Sequence, residues 1–156
     1  MSEKRVNFAS VVLDGKIYAM GGEAGSSGGC LDTVEVYDPQ ADSWQRVASM
    51  PQCLYMHAAA AMGGKIYVTG GWNQATLNSA SFVYDPQANA WTQLASLGTA
   101  RRNHASAAVG GKLYVLGGMD AHVRLSTAEV YDPASDSWAP ATSLTSARSY
   151  LVAVAL

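Results

Sequence analysis

The chain is a succession of short apolar runs, each bounded by residues that favour turns. The run Lys16–Met20, for example, follows Asp14-Gly15 and is followed by Gly21-Gly22. No stretch sustains the helical period of apolar positions. We therefore predict that the whole chain is built of β-strands.

The pattern of runs and turns is itself repeated. Its clearest marks are a Tyr-Asp-Pro tripeptide and a Trp seven residues after its Tyr. They occur at Tyr37 and Trp44, at Tyr84 and Trp91, and at Tyr131 and Trp138. Successive copies are 47 residues apart, and a fixed period of this size is typical of stacked or radial repeat architectures.

Each unit is predicted to contain four strands, which we call a, b, c and d. Strand a is rich in small residues and is expected to lie innermost in a radial sheet, where several sheets crowd one axis. The Tyr and Trp residues are expected to fill the space between sheets, with their polar atoms hydrogen-bonded. Strand a is predicted at Phe8–Leu13, His57–Met62 and His104–Val109; strand b at Lys16–Met20, Lys65–Thr69 and Lys112–Leu116; strand c ends at Tyr37, Tyr84 and Tyr131; strand d runs from the Trp to Met50, Leu97 and Leu144.

Four short strands, a Gly pair after strand b, Tyr-Asp-Pro and the Trp that follows resemble the kelch repeat, and the resemblance covers the chain from Arg5 onward. It implies an all-β fold, a β-propeller in which each repeat is one four-stranded antiparallel blade. We expect a partial kelch propeller, with one domain over residues 1–156. The expected blades are at about 5–50, 54–97 and 101–144, with an extra innermost strand, the first of a fourth blade, at 148–156. One departure is Leu54, which stands where the other units have Arg.

Three blades cannot close a ring. Each blade must bury both of its faces against neighbouring blades, and a closed ring needs at least four. The chain is expected either to be a segment of a longer propeller or to form a homodimer that completes a six-bladed ring. The additional strand at 148–156 would be redundant in a dimer, which favours the segment.

Composition excludes several classes of function. The net charge of −2 and the lack of a basic stripe argue against nucleic-acid binding. No apolar stretch is long enough to span a membrane or to form a signal peptide, so a cytoplasmic protein is expected. Cys30 and Cys53 occupy non-equivalent places in the repeat and are expected to be free thiols.

Candidate catalytic and metal-binding residues are few. His57 and His104 are repeat equivalents that could face the channel as metal ligands, but Phe8 and Leu151 stand at the other equivalent positions. A structural or partner-facing role is therefore expected for both histidines. We expect no catalytic residues, no metal and no cofactor, because the recurring acidic residues are explained by the periodicity of the repeat.

The resemblance further implies that a protein partner binds the face made by the b–c and d–a loops. Arg residues there favour an acidic peptide, and Trp72 and Tyr55 would anchor an apolar side chain. In the alternative interpretation, Arg101 and Arg148 brace the loop. The expected partner-binding residues are Glu23, Tyr55, Met56, Trp72, Asn73, Arg101, Arg102, Asn103, Met119, Asp120, Arg148, Ser149 and Tyr150.

The expected function is a non-catalytic protein–protein interaction module. The resemblance implies roles such as a substrate adaptor for a cullin-type ubiquitin ligase, or cytoskeletal (actin) binding. The remaining alternative is a propeller enzyme or a metal-dependent small-molecule site at the channel mouth.

Overall fold

The structure is a computed structural model that describes residues 1–25 and 28–155. All of its regular elements in this part of the chain are strands, as the sequence predicts. They are β1 (Arg5–Val6), β2 (Ala9–Leu13), β3 (Lys16–Met20), β4 (Glu23–Ala24), β5 (Gly29–Cys30), β6 (Val34–Asp38), β7 (Ser43–Val47), β8 (Ala58–Met62), β9 (Lys65–Thr69), β10 (Ser81–Asp85), β11 (Ala90–Leu94), β12 (Ala105–Val109), β13 (Lys112–Leu116), β14 (Ala128–Asp132) and β15 (Ser137–Ala141).

Twelve of these strands form three four-stranded antiparallel sheets, which are the three predicted blades. Blade 1 has the order β2-β3-β6-β7, blade 2 the order β8-β9-β10-β11, and blade 3 the order β12-β13-β14-β15. A small additional sheet, β1-β4-β5, was not predicted. The described residues include no helix that is long and apolar enough to cross a membrane. The division of the chain into a single domain with the stated bounds stays a prediction.

The strand bounds differ slightly from those predicted. Strand b is as predicted in all three blades, and strand a begins one residue later. Strand d ends earlier: β7 stops at Val47. The next amide, Ala48 N–H, does not continue the sheet but donates at 2.9 Å to the Asn89 side chain of blade 2. Contact with the neighbouring blade therefore ends the strand.

Neighbouring blades meet along their innermost strands, because β8 lies against both β2 and β12. The three sheets are therefore adjoining sectors around a shared axis. The Gly pair after strand b permits the close approach. A Cβ on Gly70 would lie 2.5 Å from the Arg101 carbonyl oxygen of the next blade. Gly71 N–H donates to that same oxygen at 2.8 Å.

Large aromatic side chains fill the space between blades, as predicted. Tyr84 is 1% exposed, and its ring centroid lies 5.0 Å from that of Trp91 and 6.2 Å from that of Tyr18 in blade 1. The Tyr84 hydroxyl donates to Asn89 Oδ1 at 2.8 Å, and Trp91 Nε1–H donates to the Ala48 carbonyl at 2.9 Å. The corresponding contacts recur between blades 2 and 3.

The additional innermost strand expected at 148–156 is not formed, which corrects that prediction. Residues 151–155 pair with no strand, and Leu156 lies outside the described residues. Strand a obtains its hydrogen bonds from strand b of its own blade, and no such strand lies beside this segment. Two backbone bonds still hold its start: Gly118 N–H donates to Arg148 O at 2.8 Å, and Tyr150 N–H donates to Asn103 O at 2.9 Å.

Candidate functional site

The loops after strands b and d lie at the same end of the blades, and backbone hydrogen bonds join them in pairs. In blade 2, Tyr55 and Trp72 exchange N–H···O bonds of 3.0 and 2.8 Å. In blade 3, Arg102 and Met119 exchange bonds of 2.9 and 2.8 Å. The small sheet β1-β4-β5 occupies the equivalent place in blade 1. We call these loops the loop rim, which comprises residues 5–7, 22–25, 28–31, 54–56, 71–78, 101–103, 118–125 and 148–150.

A series of backbone hydrogen bonds fixes the inner edge of the loop rim. Met56 N–H donates to Asn7 O at 2.8 Å, Asn103 N–H to Met56 O at 2.8 Å, and Tyr150 N–H to Asn103 O at 2.9 Å. All four residues have left-handed backbone conformations, with φ between 52° and 56°. Each bond joins one unit of the repeat to the next, so the packing of the blades determines the position of the rim.

An aromatic and cationic cluster lies at the boundary between blades 2 and 3. We call Tyr55, Trp72 and Arg102 the Trp72 cluster. The Arg102 guanidinium carbon lies 5.1 Å from the centroid of the Trp72 ring, within the range of a cation–π interaction. Burial raises the pKa of Tyr55; the charge of Glu23 raises it further and that of Arg102 opposes the rise. The rim therefore places a cation, an anion and two aromatic rings near one another.

Two nitrogen donors beside this cluster are buried and have no hydrogen-bond partner among the described residues. They are Arg102 Nε and Asn103 Nδ2. Leaving a buried donor unsatisfied costs about 1–3 kcal/mol, so such groups mark places where water or a ligand binds. Both donors are in the same loop on the rim: the Arg102 guanidinium lies over the Trp72 ring, and Asn103 lines the cavity at the channel mouth. Neither atom is accessible in this conformation, so a bound molecule hydrogen-bonds to them only when these half-buried side chains turn outward.

Two of the predicted binding residues hold the loops themselves. Asn73 Oδ1 accepts a hydrogen bond from Thr76 N–H at 2.9 Å, and Asp120 Oδ1 accepts one from Val123 N–H at 2.8 Å. Their side-chain oxygens form the local turns of the b–c loops. These turns position Trp72 and Met119, which immediately precede them.

The other predicted residues of the rim are arranged around its inner edge. Met56, Met119 and Ser149 are half-buried, and Tyr150 is 72% exposed. Glu23 accepts a hydrogen bond of 2.8 Å from the Asn7 side chain.

Arg101 does not lie on the surface, and this corrects its place among the expected partner-binding residues. The side chain is fully buried, with Nη2 2.7 Å from Glu129 Oε1 and Nη1 2.8 Å from Gly117 O. A fully buried guanidinium cannot reach a partner. Its contacts are those of the alternative interpretation, in which it braces the loop. Arg148, by contrast, is exposed, and its Nη2 donates to Ser146 Oγ at 2.7 Å.

Blade 1 contains the same buried ion pair, and blade 2 replaces it. Arg5 Nη2 lies 2.8 Å from Glu35 Oε2. Burial raises the pKa of Glu35, but hydrogen bonds from Ser2 and Arg5 outweigh it and lower the pKa to about 2. In blade 2 the equivalent positions hold Leu54 and Phe82, which are 0% and 4% exposed. One site of the repeat therefore accepts either a charged pair or an apolar pair.

The two repeat-equivalent histidines are buried at the channel mouth. His57 and His104 are 6% and 5% exposed, and they line a cavity of about 170 Å³ together with Asn103 and Tyr150. Burial lowers the pKa of His57 to about 4; burial, with the charges of Arg101 and His57, lowers that of His104 to about 3. Both rings are therefore neutral at neutral pH.

No metal centre is assembled by the part of the chain that the structure describes. No three His, Cys, Asp or Glu side chains there come close enough to hold a metal ion. His122 lies exposed in its loop.

Cys30 and Cys53 form a disulfide, so the prediction of two free thiols is wrong. The residues are not equivalent in the repeat, but they meet across the boundary between blades 1 and 2, with Cα atoms 5.4 Å apart. The residues that follow them are joined directly, because Leu54 N–H donates to Leu31 O at 3.2 Å. The pairing of these two loops across the blade boundary is the signal from which the disulfide could have been predicted. Disulfides are rare in the cytosol, and the cytoplasmic localisation stays a prediction.

Comparisons with known proteins agree with this architecture. A family model described as the KLHDC2/KLHL20/DRC7 Kelch-repeats domain matches residues 2–155. The solved structure of YjhT superposes with a TM-score of 0.79 at 20% identity, over 93% of this chain and 54% of that chain, which shows a shared fold.

Three curated proteins are similar over part of the chain. Kelch-like protein 33 of Homo sapiens is 41% identical over 71 residues, which are 46% of this chain and 13% of that protein. Kelch-like protein 26 of Danio rerio is 42% identical over 72 residues, 46% of this chain and 12% of that protein. F-box protein AFR of Arabidopsis thaliana is 39% identical over 72 residues, 46% of this chain and 19% of that protein. The matched region is thus less than a fifth of each relative. With its three four-stranded blades and a family match over residues 2–155, the chain belongs to the kelch-repeat family.

Proposed function

We propose that the chain is a non-catalytic interaction module that binds a segment of a protein partner on the loop rim, at the Trp72 cluster. The Kelch-like and F-box names of its relatives support a protein partner. The observation that carries the proposal is the Arg102 guanidinium over the Trp72 ring, with the unpartnered donors Arg102 Nε and Asn103 Nδ2 in the same loop. A partner that supplies acceptor oxygens there would remove the cost of leaving them unsatisfied.

The chemistry of the rim favours an acidic segment with a neighbouring apolar side chain. The Arg102 guanidinium can bind a carboxylate, and charge-assisted hydrogen bonds of this kind are among the strong ones. Trp72, Met56 and Met119 offer aromatic and thioether surface within the same rim. Trp, Met and Arg are enriched at interfaces, and Trp and Arg among the residues that dominate binding energy.

The proposal is tested by selecting peptides from a random display library on the immobilised chain and measuring their affinities. We expect selected peptides to carry Asp or Glu close to a large apolar residue. Arg102→Ala and Trp72→Ala should each weaken their binding by about tenfold or more. Lys65→Ala is the matched control, because Lys65 lies at the start of strand b, opposite the rim, and pairs there with Asp85 at 3.0 Å. Peptides that bind both rim variants as tightly as the unchanged chain would place the binding surface elsewhere.

A role as the substrate-recruiting part of a cullin-type ubiquitin ligase is a second, finer proposal. It is supported by one relative that bears the name F-box protein and by the kelch-like relatives. Such a role needs a ligase-binding region in addition to the rim. Co-precipitation of cullin with the full-length protein tests it, and a partner that binds the rim while cullin is absent would support the interaction module without the adaptor role.

A further inference from the structure

The two boundaries between blades are built from the same hydrogen bonds. Between blades 1 and 2, Trp91 Nε1–H donates to Ala48 O and Ala48 N–H donates to Asn89 Oδ1, both at 2.9 Å. Between blades 2 and 3, Trp138 Nε1–H donates to Ala95 O and Ala95 N–H donates to Asp136 Oδ1, again both at 2.9 Å. A pair of tyrosines in tilted contact accompanies each set, with ring centroids 6.2 and 6.1 Å apart. One blade contributes the indole, the acceptor oxygen and a tyrosine; the other contributes the backbone group and the second tyrosine.

Each half of this boundary occurs once more, unused, at an open flank of the chain. We call the outward face of blade 1 flank 1; it carries Trp44, Asp42 and Tyr37. Trp44 Nε1–H has no hydrogen-bond partner in the described part of the chain, while Asp42 accepts a bond of 2.6 Å from Tyr37, as its equivalents do from theirs. We call the outward face of blade 3 flank 3; it carries Thr142 at the position of Ala48 and Ala95, and Tyr114 at the position of Tyr18 and Tyr67.

Exposed apolar side chains distinguish the flanks from the closed boundaries. Ile17 on flank 1 is 38% exposed, whereas its equivalents Ile66 and Leu113 are 0% exposed. Val109 on flank 3 is 57% exposed, whereas its equivalents are more buried: Leu13 is 8% exposed and Met62 is half-buried. The difference follows only from the presence or absence of a neighbouring blade.

We propose that flank 1 of one copy of this chain binds flank 3 of a second copy, and that two such contacts close a ring of two copies. The chain carries both halves of a boundary that it already forms twice within itself. A head-to-tail contact would therefore use the same kinds of hydrogen bond and aromatic contact. Trp44 of one copy would donate to Thr142 O of the other, whose amide would donate to Asp42. The Trp72 cluster lies between blades 2 and 3, at neither flank, so the inference does not depend on the proposed function.

Residues 148–155 occupy the place that the first strand of the second copy needs. Arg148 O accepts from Gly118 N–H, as Leu54 O and Arg101 O of the following blades do from Gly22 and Gly71. The incoming β2 is hydrogen-bonded to β3 in its own sheet, whereas residues 151–155 pair with no strand. The proposal therefore includes a competition: the segment 148–155 leaves its place when the second copy binds.

Sedimentation equilibrium of the full chain over a range of concentrations is the first test. We expect a species of twice the 16.4 kDa mass of the single chain. A single chain at all concentrations, or an open-ended series of larger species, would overturn the ring.

Substitutions on the two flanks identify the contact. Trp44→Phe keeps the ring and removes one donor, and should weaken the dimer by about fivefold at each contact, or about 25-fold for the ring of two. Trp91→Phe removes the equivalent bond inside the chain and should lower the unfolding midpoint without weakening the dimer to the same degree. Equal effects of the two variants on association would contradict the assignment.

Mixing two variants tests the head-to-tail direction. Ile17→Asp and Val109→Asp each place a charge on one flank at an exposed position, so both should fold and both should be monomers at concentrations where the unchanged chain is dimeric. Their mixture retains one intact contact, between flank 3 of the Ile17→Asp variant and flank 1 of the Val109→Asp variant. The mixture should therefore regain part of the association. If Val109→Asp alone still dimerises, or the mixture regains nothing, the direction is wrong.

The competition is tested with Tyr150→Pro. Proline removes the N–H that donates to Asn103 O and cannot adopt the φ of 55° at this position. Release of the segment should tighten the dimer several-fold. A weaker dimer would show that residues 148–155 contribute to the contact and do not compete with it.

Discussion

The buried ion pair of blade 3 can be exchanged for the apolar pair of blade 2, and the structure predicts how the free energy of unfolding will respond. Arg101 is fully buried and Glu129 has a side chain that is 10% exposed. Their equivalents in blade 2 are Leu54 and Phe82. The chain therefore contains both a buried ion pair and a buried apolar pair at equivalent positions of the repeat.

Arg101→Leu and Glu129→Phe are each expected to lower the free energy of unfolding by about 3–5 kcal/mol, because each leaves one buried charge without its partner. The double variant should lie within about 2 kcal/mol of the unchanged chain, since two buried charges are replaced by a pair that already packs in blade 2. Its remaining cost comes from amides that lose their acceptor, since Gly98 N–H donates to Glu129 at 2.6 Å and Thr99 N–H at 3.2 Å. At the position of Gly98 blade 2 avoids this cost, because the equivalent residue is Pro51, which has no N–H.

The assay is urea unfolding followed by Trp fluorescence, with the two single variants and the double variant forming a double-mutant cycle. The matched control is Lys112→Ala, which removes an exposed ion pair with Asp132 in the same blade and should change the midpoint little. If the double variant loses the sum of the two single losses, the positions are not interchangeable and the reasoning from the repeat fails.

Three further predictions follow from the same structure. The stability of the chain should be constant above about pH 6.5 and fall as the pH drops towards 4. The cause is that the histidines of the unfolded chain bind protons over this range. In the folded chain the pKa is about 4 for His57 and about 3 for His104, so their buried rings stay neutral. His57→Phe, which installs the residue found at Phe8, should flatten the pH dependence of the urea midpoint, and an unchanged slope would contradict the assignment. Replacing Cys30 and Cys53 by Ser should cost about 3 kcal/mol for a loop of 23 residues, and thiol titration of the unreduced protein should find no reactive cysteine. Gly70→Ala should lower the unfolding midpoint far more than Gly63→Ala, since both have φ of 60° but only Gly70 would collide with a neighbour, and equal losses would show that φ alone matters.

The sequence by itself determined the repeated unit and its internal structure. Strand b was placed correctly in every blade, because the apolar runs and turn residues that define it act over a few residues. The roles of Tyr84 and Trp91 between blades were also predicted, since large aromatic residues recurring at one period must be buried against the next unit. Periodic residues report the contacts that every unit makes with its neighbours.

The tertiary structure alone decided what happens between particular units. Cys30 and Cys53 occupy different positions of the repeat, so no alignment of the units pairs them; only the meeting of two loops across a blade boundary does. The sequence places Arg101 in the same d–a loop as Arg102 and so predicts it on the rim. Its side chain is instead hydrogen-bonded to Glu129 of its own blade, and a buried partner 28 residues away leaves no local pattern. Residues 148–155 match a strand in sequence but form none, because a strand exists only when another supplies its hydrogen bonds.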